Sequence, residues 1–254
     1  MTRFFFFVMV ISLSGNFVAA QSNQAIFDEA NTYFESGELS QAMSMYRILE
    51  QEEQVSGALF LNMGIVAVQL DSMGLAKYYF LKSANFEETE ERANLALLYV
   101  TSQFSRQSAT LPKLPWDRAV QWMIEVPTAF GVFIAGFFFL IIGLTLLALK
   151  WLNYIHLKKI NWYLTSIFVA GSLIVLLSFY VDYVDQRYDE AVLVTNSNRV
   201  LQLPEEQSTL VSIAYEGYSV IVDRWKSEEE DQWLYIRLGN GQFGWISHEG
   251  IKIL

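Results

Sequence analysis

The chain has 254 residues with 27 acidic and 17 basic side chains, so its formal net charge at pH 7 is −10. An acidic protein repels phosphate groups, which argues against nucleic acid or anionic lipid as a partner. The chain contains no cysteine, and this excludes disulfides, thiol nucleophiles and a lipid-modified cysteine.

The first 20 residues have the features of a secretory signal peptide. Arg3 precedes the apolar run 4–13, and small residues at 18–20 offer a cleavage site before Gln21. The run is too short to span a bilayer comfortably. We therefore predict a signal peptide over residues 1–20.

Residues 21–104 contain an internal repeat. Small and aromatic residues recur after 34 positions, with Ala30, Tyr33, Ala42 and Tyr46 matched by Gly64, Ala67, Ala76 and Phe80. This pattern resembles the tetratricopeptide repeat, whose helical hairpins stack because none buries its apolar face alone. A third unit begins near Asn94, but its second helix is not recognisable. A generic antiparallel helical bundle is the alternative.

The resemblance implies a peptide-binding face. Such arrays bind extended peptides along the concave side of their first helices, where this chain would present Asn31, Phe34, Asn62, Gln69 and Asn94. Asparagine pairs with both donors and acceptors of a peptide backbone. The paired basic residues that clamp a terminal carboxylate in some members are missing, so a ligand with a free terminal carboxylate is not favoured. Alternatively, the asparagines tie turns or face solvent.

Residues 105–125 combine a polar, proline-containing linker with a short amphipathic segment. Trp116, Ala119, Val120 and Met123 fall on one helical face, as a helix lying at a membrane surface requires. A fragment of the missing repeat helix is the alternative.

Two uncharged stretches, residues 126–149 and 160–181, predict transmembrane helices. Each would reach ~33 Å or more, and a bilayer core is ~30 Å thick. Ala129, Gly136 and Gly143 in the first stretch, and Ser166 and Ala170 in the second, provide small faces for close packing. Two buried core helices of a water-soluble protein are the less favoured alternative.

The charges predict how these helices are oriented. Residues 150–159 carry Lys150, Lys158 and Lys159, and basic loops stay in the cytoplasm. Both flanks then lie outside. The segments predicted to lie outside, residues 21–125 and 182–254, contain every acidic residue. Apart from the three lysines of the loop, the one basic residue that is not in these segments is Arg3.

Residues 182–254 change to short β-branched and aromatic runs, which predict a small all-β barrel. The runs are 191–195, 200–203, 219–222, 233–238 and 243–246. A strand containing Trp233, the hairpin 239–241 and the pair Gly244-Trp245 resemble the end of a bacterial SH3 domain. Such domains bind cell-wall peptides or protein segments, so the resemblance implies a site lined by Tyr215, Tyr218, Trp225 and Tyr235. Aromatic residues of a small barrel also commonly form its core.

No catalytic motif is recognisable. His156 and His248 lie on opposite sides of the proposed membrane, and the chain has no phosphate-binding glycine loop, zinc ligand set or serine nucleophile elbow. We expect neither enzymatic activity nor a cofactor or metal.

The order of these segments resembles the BatE family of the Bacteroides aerotolerance operon. It implies a multi-domain membrane protein with α-helical tetratricopeptide-like repeats, a two-helix transmembrane hairpin and a small all-β SH3-like barrel. Its expected place is the bacterial inner membrane, with both soluble domains periplasmic. Its implied partners are von Willebrand A-domain membrane proteins and a MoxR-type AAA+ ATPase system. We expect a scaffold or adaptor; a cell-wall anchor that binds peptidoglycan is the alternative.

Overall fold

The structure is a computed structural model that describes residues 23–104, 115–152, 154 and 160–254. The expected signal peptide, residues 105–114 of the expected linker and most of the expected cytoplasmic loop lie outside the described residues. The described residues form two compact units. The first combines the chain before residue 105 with residues 190–222 and 230–254, and the second combines residues 115–189 with 223–229.

Five helices begin the first unit, and together we call them the helical array. They are α1 (23–35), α2 (Leu39–Gln51), α3 (Gly57–Gln69), α4 (Met73–Ala84) and α5 (Glu90–Gln103). Helices α3 and α4 begin 34 residues after α1 and α2 respectively. The sequence repeat is therefore a repeat of helical hairpins.

Small residues let these helices approach closely. Ala30, Ala42 and Ala76 are fully buried in the core of the helical array. A Cβ atom on Gly64 would lie 2.4 Å from the ring of Phe80, so the ring occupies the space that the glycine leaves. This matching of small and aromatic residues explains why both types recur together along the sequence.

The rest of the first unit belongs to a seven-stranded antiparallel sheet. Its strands are β1 (Tyr188–Leu193), β2 (Ser197–Leu201), β3 (Leu210–Tyr215), β4 (Ser219–Asp223), β5 (Trp233–Leu238), β6 (Phe243–Ser247) and β7 (Ile251–Ile253). The strand order is β3-β2-β6-β5-β4-β1-β7, so β3 and β7 are the outer strands. The predicted runs had omitted these two.

Strands β5 and β6 form the predicted hairpin. Tyr235 lies opposite Trp245, and Ile236 lies opposite Gly244. Gly241 turns the chain with a φ of +87°, a conformation that glycine adopts without steric cost. The inner face of the sheet buries Leu193, Ile236 and other aliphatic residues in a core of its own.

The second unit is helical. It contains α6 (Pro115–Glu125), α7 (Thr128–Trp151), α8 (Ile160–Arg187) and the single turn α9 (Arg224–Ser227). Among the described residues, α7 and α8 are long and apolar enough to cross a membrane, with mean hydropathies of 2.8 and 2.2 in their most apolar windows. Only 17% and 22% of those windows are buried within the molecule, whereas a core helix of a water-soluble protein would be mostly buried.

Glycines bring α7 and α8 together. A Cβ on Gly136 would lie 2.8 Å from the backbone nitrogen of Val175, and one on Gly171 would lie 2.9 Å from Leu140. Gly143, seven residues after Gly136, is also buried. The expectation for Ser166 is wrong because this side chain is exposed. On α8 the contact face repeats through Leu164, Gly171 and Ser178, which places Ser166 outside it.

We predict that Gly136→Leu weakens the packing of α7 against α8. The added side chain meets the backbone of α8, which cannot move aside as a flexible side chain can, so we expect a loss of about 1–3 kcal/mol. The measurement is the midpoint of unfolding of the detergent-solubilised chain during titration with a denaturing detergent. Ala135→Leu is the matched control, since Ala135 is exposed. Equal midpoints for the two variants would contradict the proposed contact.

Candidate functional site at the junction of helical array and sheet

A carboxylate from the sheet caps helix α4. Ser72 precedes α4, but its side chain makes no capping hydrogen bond. Instead, the backbone N–H of Gly74 donates to Oε1 of Glu216 over 2.6 Å. The first N–H groups of a helix lack partners within the helix, and the positive end of its dipole attracts a carboxylate. Glu216, in the turn between β3 and β4, therefore does what a local capping residue does elsewhere.

One turn further along α4, a lysine makes the reciprocal contact. The ammonium group of Lys77 donates to the carbonyl oxygen of Gly217 over 2.6 Å and to Oγ of Ser219 over 2.8 Å. Burial lowers the pKa of Lys77, and the charge of Glu190 opposes this shift in part. Helix α4 and the β3–β4 turn thus exchange polar contacts in both directions.

Gly217 is required at this turn for two reasons. Its φ of +79° is a conformation that residues with a Cβ rarely adopt. A Cβ there would also lie 2.2 Å from the ring of Phe104, which follows α5. The aromatic ring therefore packs directly on the backbone of the turn.

The second half of strand β1 is buried on both of its faces. Val192 belongs to the core of the helical array, whereas Ala191 and Leu193 belong to the core of the sheet, and all three are fully buried. Successive side chains of a strand point to opposite sides, so one strand contributes to two cores. We call the set of contacts made by α4, Phe104, β1 and the β3–β4 turn the junction.

Sequence reasoning missed the junction, although one signal for it was present. Residues 191–194 are apolar without alternation. A strand with one face in water alternates apolar and polar residues, whereas a strand covered on both faces does not. The run therefore indicated a second layer over β1, but nothing in the sequence identified that layer as α4.

The predicted concave-face residues are brought together only in part. The amide oxygen of Asn31 accepts hydrogen bonds from the hydroxyl of Tyr46 over 2.6 Å and from the amide of Asn62 over 3.0 Å. Burial raises the pKa of Tyr46, so this hydroxyl keeps its proton. Phe34 is half-buried against the helical core, while Gln69 and Asn94 are exposed. The two asparagines thus tie α1 to α3, and both are half-buried.

Three of the four predicted aromatic residues lie in two separate ring clusters of the sheet. The rings of Tyr215 and Tyr218 lie 5.9 Å apart in an edge-to-face arrangement at the β3–β4 turn. Tyr235 instead packs between Trp245, at 5.2 Å, and Phe243, at 6.2 Å. These pairs stabilise different parts of the sheet.

Trp225 belongs to the second unit. Its ring lies 5.3 Å from that of Tyr183, and the guanidinium of Arg187 lies 5.7 Å from its centre. Arg187 also pairs with Asp223 over 2.7 Å. Segment 223–229 is thus held by the end of α8, and Trp225 packs there.

Comparisons with known proteins add no assignment. No protein-family model matches the chain, and a search of curated proteins finds no significant match. Within the described ranges, no group of three or more histidine, aspartate or glutamate side chains could hold a metal ion. The candidate functional site therefore depends on the geometry of the junction and of the surfaces around it.

We predict that Glu216→Ala reduces the protection of the Gly74 amide from hydrogen exchange. The lost cap should cost about 1 kcal/mol, so the amide should exchange roughly fivefold faster. Hydrogen exchange with mass spectrometry on peptides covering the start of α4 measures this. The control is Glu205→Ala, which removes a carboxylate from an exposed loop. Unchanged protection in Glu216→Ala would contradict capping by the sheet.

The lowered pKa of Lys77 predicts that the stability of the folded protein depends on pH. Because its pKa is lower in the folded protein than in the unfolded chain, the folded protein releases this proton first as the pH rises. The stability of the wild type relative to Lys77→Met should therefore increase from pH 7 towards pH 10, by at most ~1.4 kcal/mol per pH unit. Thermal unfolding of both proteins across this range measures the difference. Lys252→Met, at an exposed position, is the control. A constant or falling difference would refute this assignment.

Proposed function

We propose that the protein is a membrane-anchored periplasmic scaffold in a bacterial inner membrane. In this proposal α7 and α8 span the bilayer, and the helical array and the sheet hold protein partners outside the cytoplasm. The array acts as a set of tetratricopeptide-like repeats, and the sheet acts as an SH3-like module. The protein carries out no chemistry, and its effect is to bring partners together.

The observation that carries the proposal is the junction. Lys77 precedes α7 and α8 in the chain, whereas Gly217 follows them, yet their atoms lie 2.6 Å apart. Two spanning helices return the chain to the side from which it started. The junction is compatible with a two-span topology, because only an even number of spans leaves both flanks in one compartment. The basic residues between the helices favour the cytoplasm for the loop.

The helical array supports the repeat assignment. Its hairpins recur every 34 residues, which is the period of the tetratricopeptide repeat. The residues that carry the repeat in the sequence, including Ala42, Ala76 and Phe80, are buried. Exposed Gln69 and Asn94 leave polar groups available to a peptide on this part of the array.

The sheet supports an SH3-like module through its hairpin and its aromatic surface. Tyr235 on β5 stacks with Phe243 and meets Trp245 edge-to-face, both on β6, and Phe243 remains 51% exposed. An exposed ring beside a packed one is a typical contact for an extended peptide segment. Because the junction attaches the sheet to the array, partners bound at both surfaces would be held at a fixed separation.

The resemblance to the BatE family supplies the identity of the proposed partners. They are von Willebrand A-domain membrane proteins that work with a MoxR-type AAA+ ATPase in an aerotolerance-type complex. Because the proposed cytoplasmic loop is about ten residues long, contact with a cytoplasmic ATPase would be made through the A-domain proteins.

Site-specific photo-crosslinking tests the proposal. A photoreactive amino acid is placed in the full-length chain at Gln69 or Asn94, and cells are irradiated before the membranes are solubilised. We expect A-domain membrane proteins among the crosslinked products. Gln41, exposed on α2, is the matched control position and should give far less of them.

Two results would count against the scaffold. One is the recovery of the same products from Gln41 as from Gln69 and Asn94, which would indicate random collision. The other is an absence of protein products together with peptidoglycan fragments crosslinked from Phe243. That combination would favour the cell-wall anchor instead.

A further inference from the structure

Helix α5 ends the helical array with an apolar outer surface. Leu95, Leu98 and Tyr99 are 61%, 71% and 53% exposed, and their spacing places them on one face of the helix. The opposite face, with Ala93 and Val100, is fully buried against the array. Terminal helices of stacked repeats ordinarily need a polar outer surface to remain soluble. We call Leu95, Leu98 and Tyr99 the α5 stripe.

Charge is distributed unevenly along α5. Glu90, Glu91 and Arg92 occupy its first turn, and residues 93–103 carry no charge. Ser102 and Gln103 end the helix with a hydroxyl and an amide. Along its outer face α5 is therefore ionic at the start, apolar in the middle and polar but neutral at the end.

The order of residues along the outer face of α5 is complementary to the same order read in the opposite direction. If two α5 helices lie antiparallel, Leu95 of each copy faces Tyr99 of the other, and Leu98 lies near the twofold axis. Glu91 and Arg92 then face Gln103 and Ser102 of the other copy, so no two like charges meet. A parallel pair would place Glu91 against Glu91, and repulsion between them would oppose association. Antiparallel alignment also places the positive end of each helix dipole beside the negative end of the other, which is favourable.

We propose that a second copy of this chain covers the α5 stripe, through antiparallel pairing of α5 in a twofold-symmetric dimer. A twofold interface uses the same patch on both partners, and the α5 stripe meets this requirement because apolar residues meet apolar residues under reversal. The stripe lies on the opposite face of α5 from its contacts with the array. The dimer therefore leaves the helical core unchanged.

Cysteine crosslinking tests the dimer without background, because the natural chain has no cysteine. The full-length Leu98→Cys variant is oxidised in native membranes. Since position 98 lies near the axis, we expect a disulfide-linked species of twice the mass, several-fold above that of Gln41→Cys, which is exposed on α2. Adding Leu95→Glu should reduce this species to the Gln41→Cys level, because it places two charges in the apolar centre.

A second position tests the direction of pairing. In the antiparallel dimer the two copies of residue 91 are about 18 Å apart along the helix axes, too far for a disulfide. Glu91→Cys should therefore link no more than Gln41→Cys does. The double variant Glu91→Cys with Gln103→Cys should link strongly between chains.

Three results would overturn the proposal. Leu98→Cys linking no better than Gln41→Cys would show that the α5 stripe does not pair with itself. Linking of Glu91→Cys as strong as that of Leu98→Cys would exclude the antiparallel arrangement. A monomeric Leu98→Cys that resists labelling by maleimide would show that another partner, or the chain's own linker, covers the stripe.

Discussion

The apolar surface of α7 and α8 is the constraint on which the organisation of this protein depends. The backbone groups of α7 and α8 form hydrogen bonds within each helix. Both helices are therefore suited to the interior of a bilayer, which offers no hydrogen-bond partners. Little of their surface is covered by the rest of the molecule. In the proposed topology two spans return the chain to its starting side, which is compatible with the contact between Lys77 and Gly217. The first compact unit combines residues from both flanks of the helical pair.

Glycine has no Cβ atom, and this permits close contact in both units. Gly136 and Gly171 bring α7 to the backbone of α8, and Gly217 brings the β3–β4 turn to Phe104. At the junction this proximity is combined with charge, because Glu216 meets the start of α4 and Lys77 meets the carbonyl of the turn. Such short polar contacts in a partly buried position fix orientation as well as distance. In the proposed scaffold, partners bound to the array and to the sheet would be presented in one arrangement.

Local patterns in the sequence accounted for much of the fold. The 34-residue repeat predicted helical hairpins, and long uncharged runs predicted α7 and α8, because both signals depend on residues close together in the chain. Strand β3 was missed because its exposed Leu210 and Ile213 obscure the alternation, and β7 because it has three residues. The junction was missed because residues such as Gly74 and Glu216 are 142 positions apart, and no local pattern encodes such a pair.

Single-cysteine labelling in intact cells measures the central claim most directly. The variants are Gln69→Cys in the helical array, Asn240→Cys in the sheet and Leu152→Cys after α7, all at exposed positions. The account predicts that a maleimide that cannot cross the inner membrane labels Cys at 69 and 240 from outside. It predicts that position 152 reacts only after the membrane is permeabilised. Labelling of 69 and 240 from opposite sides, or of all three without permeabilisation, would contradict it.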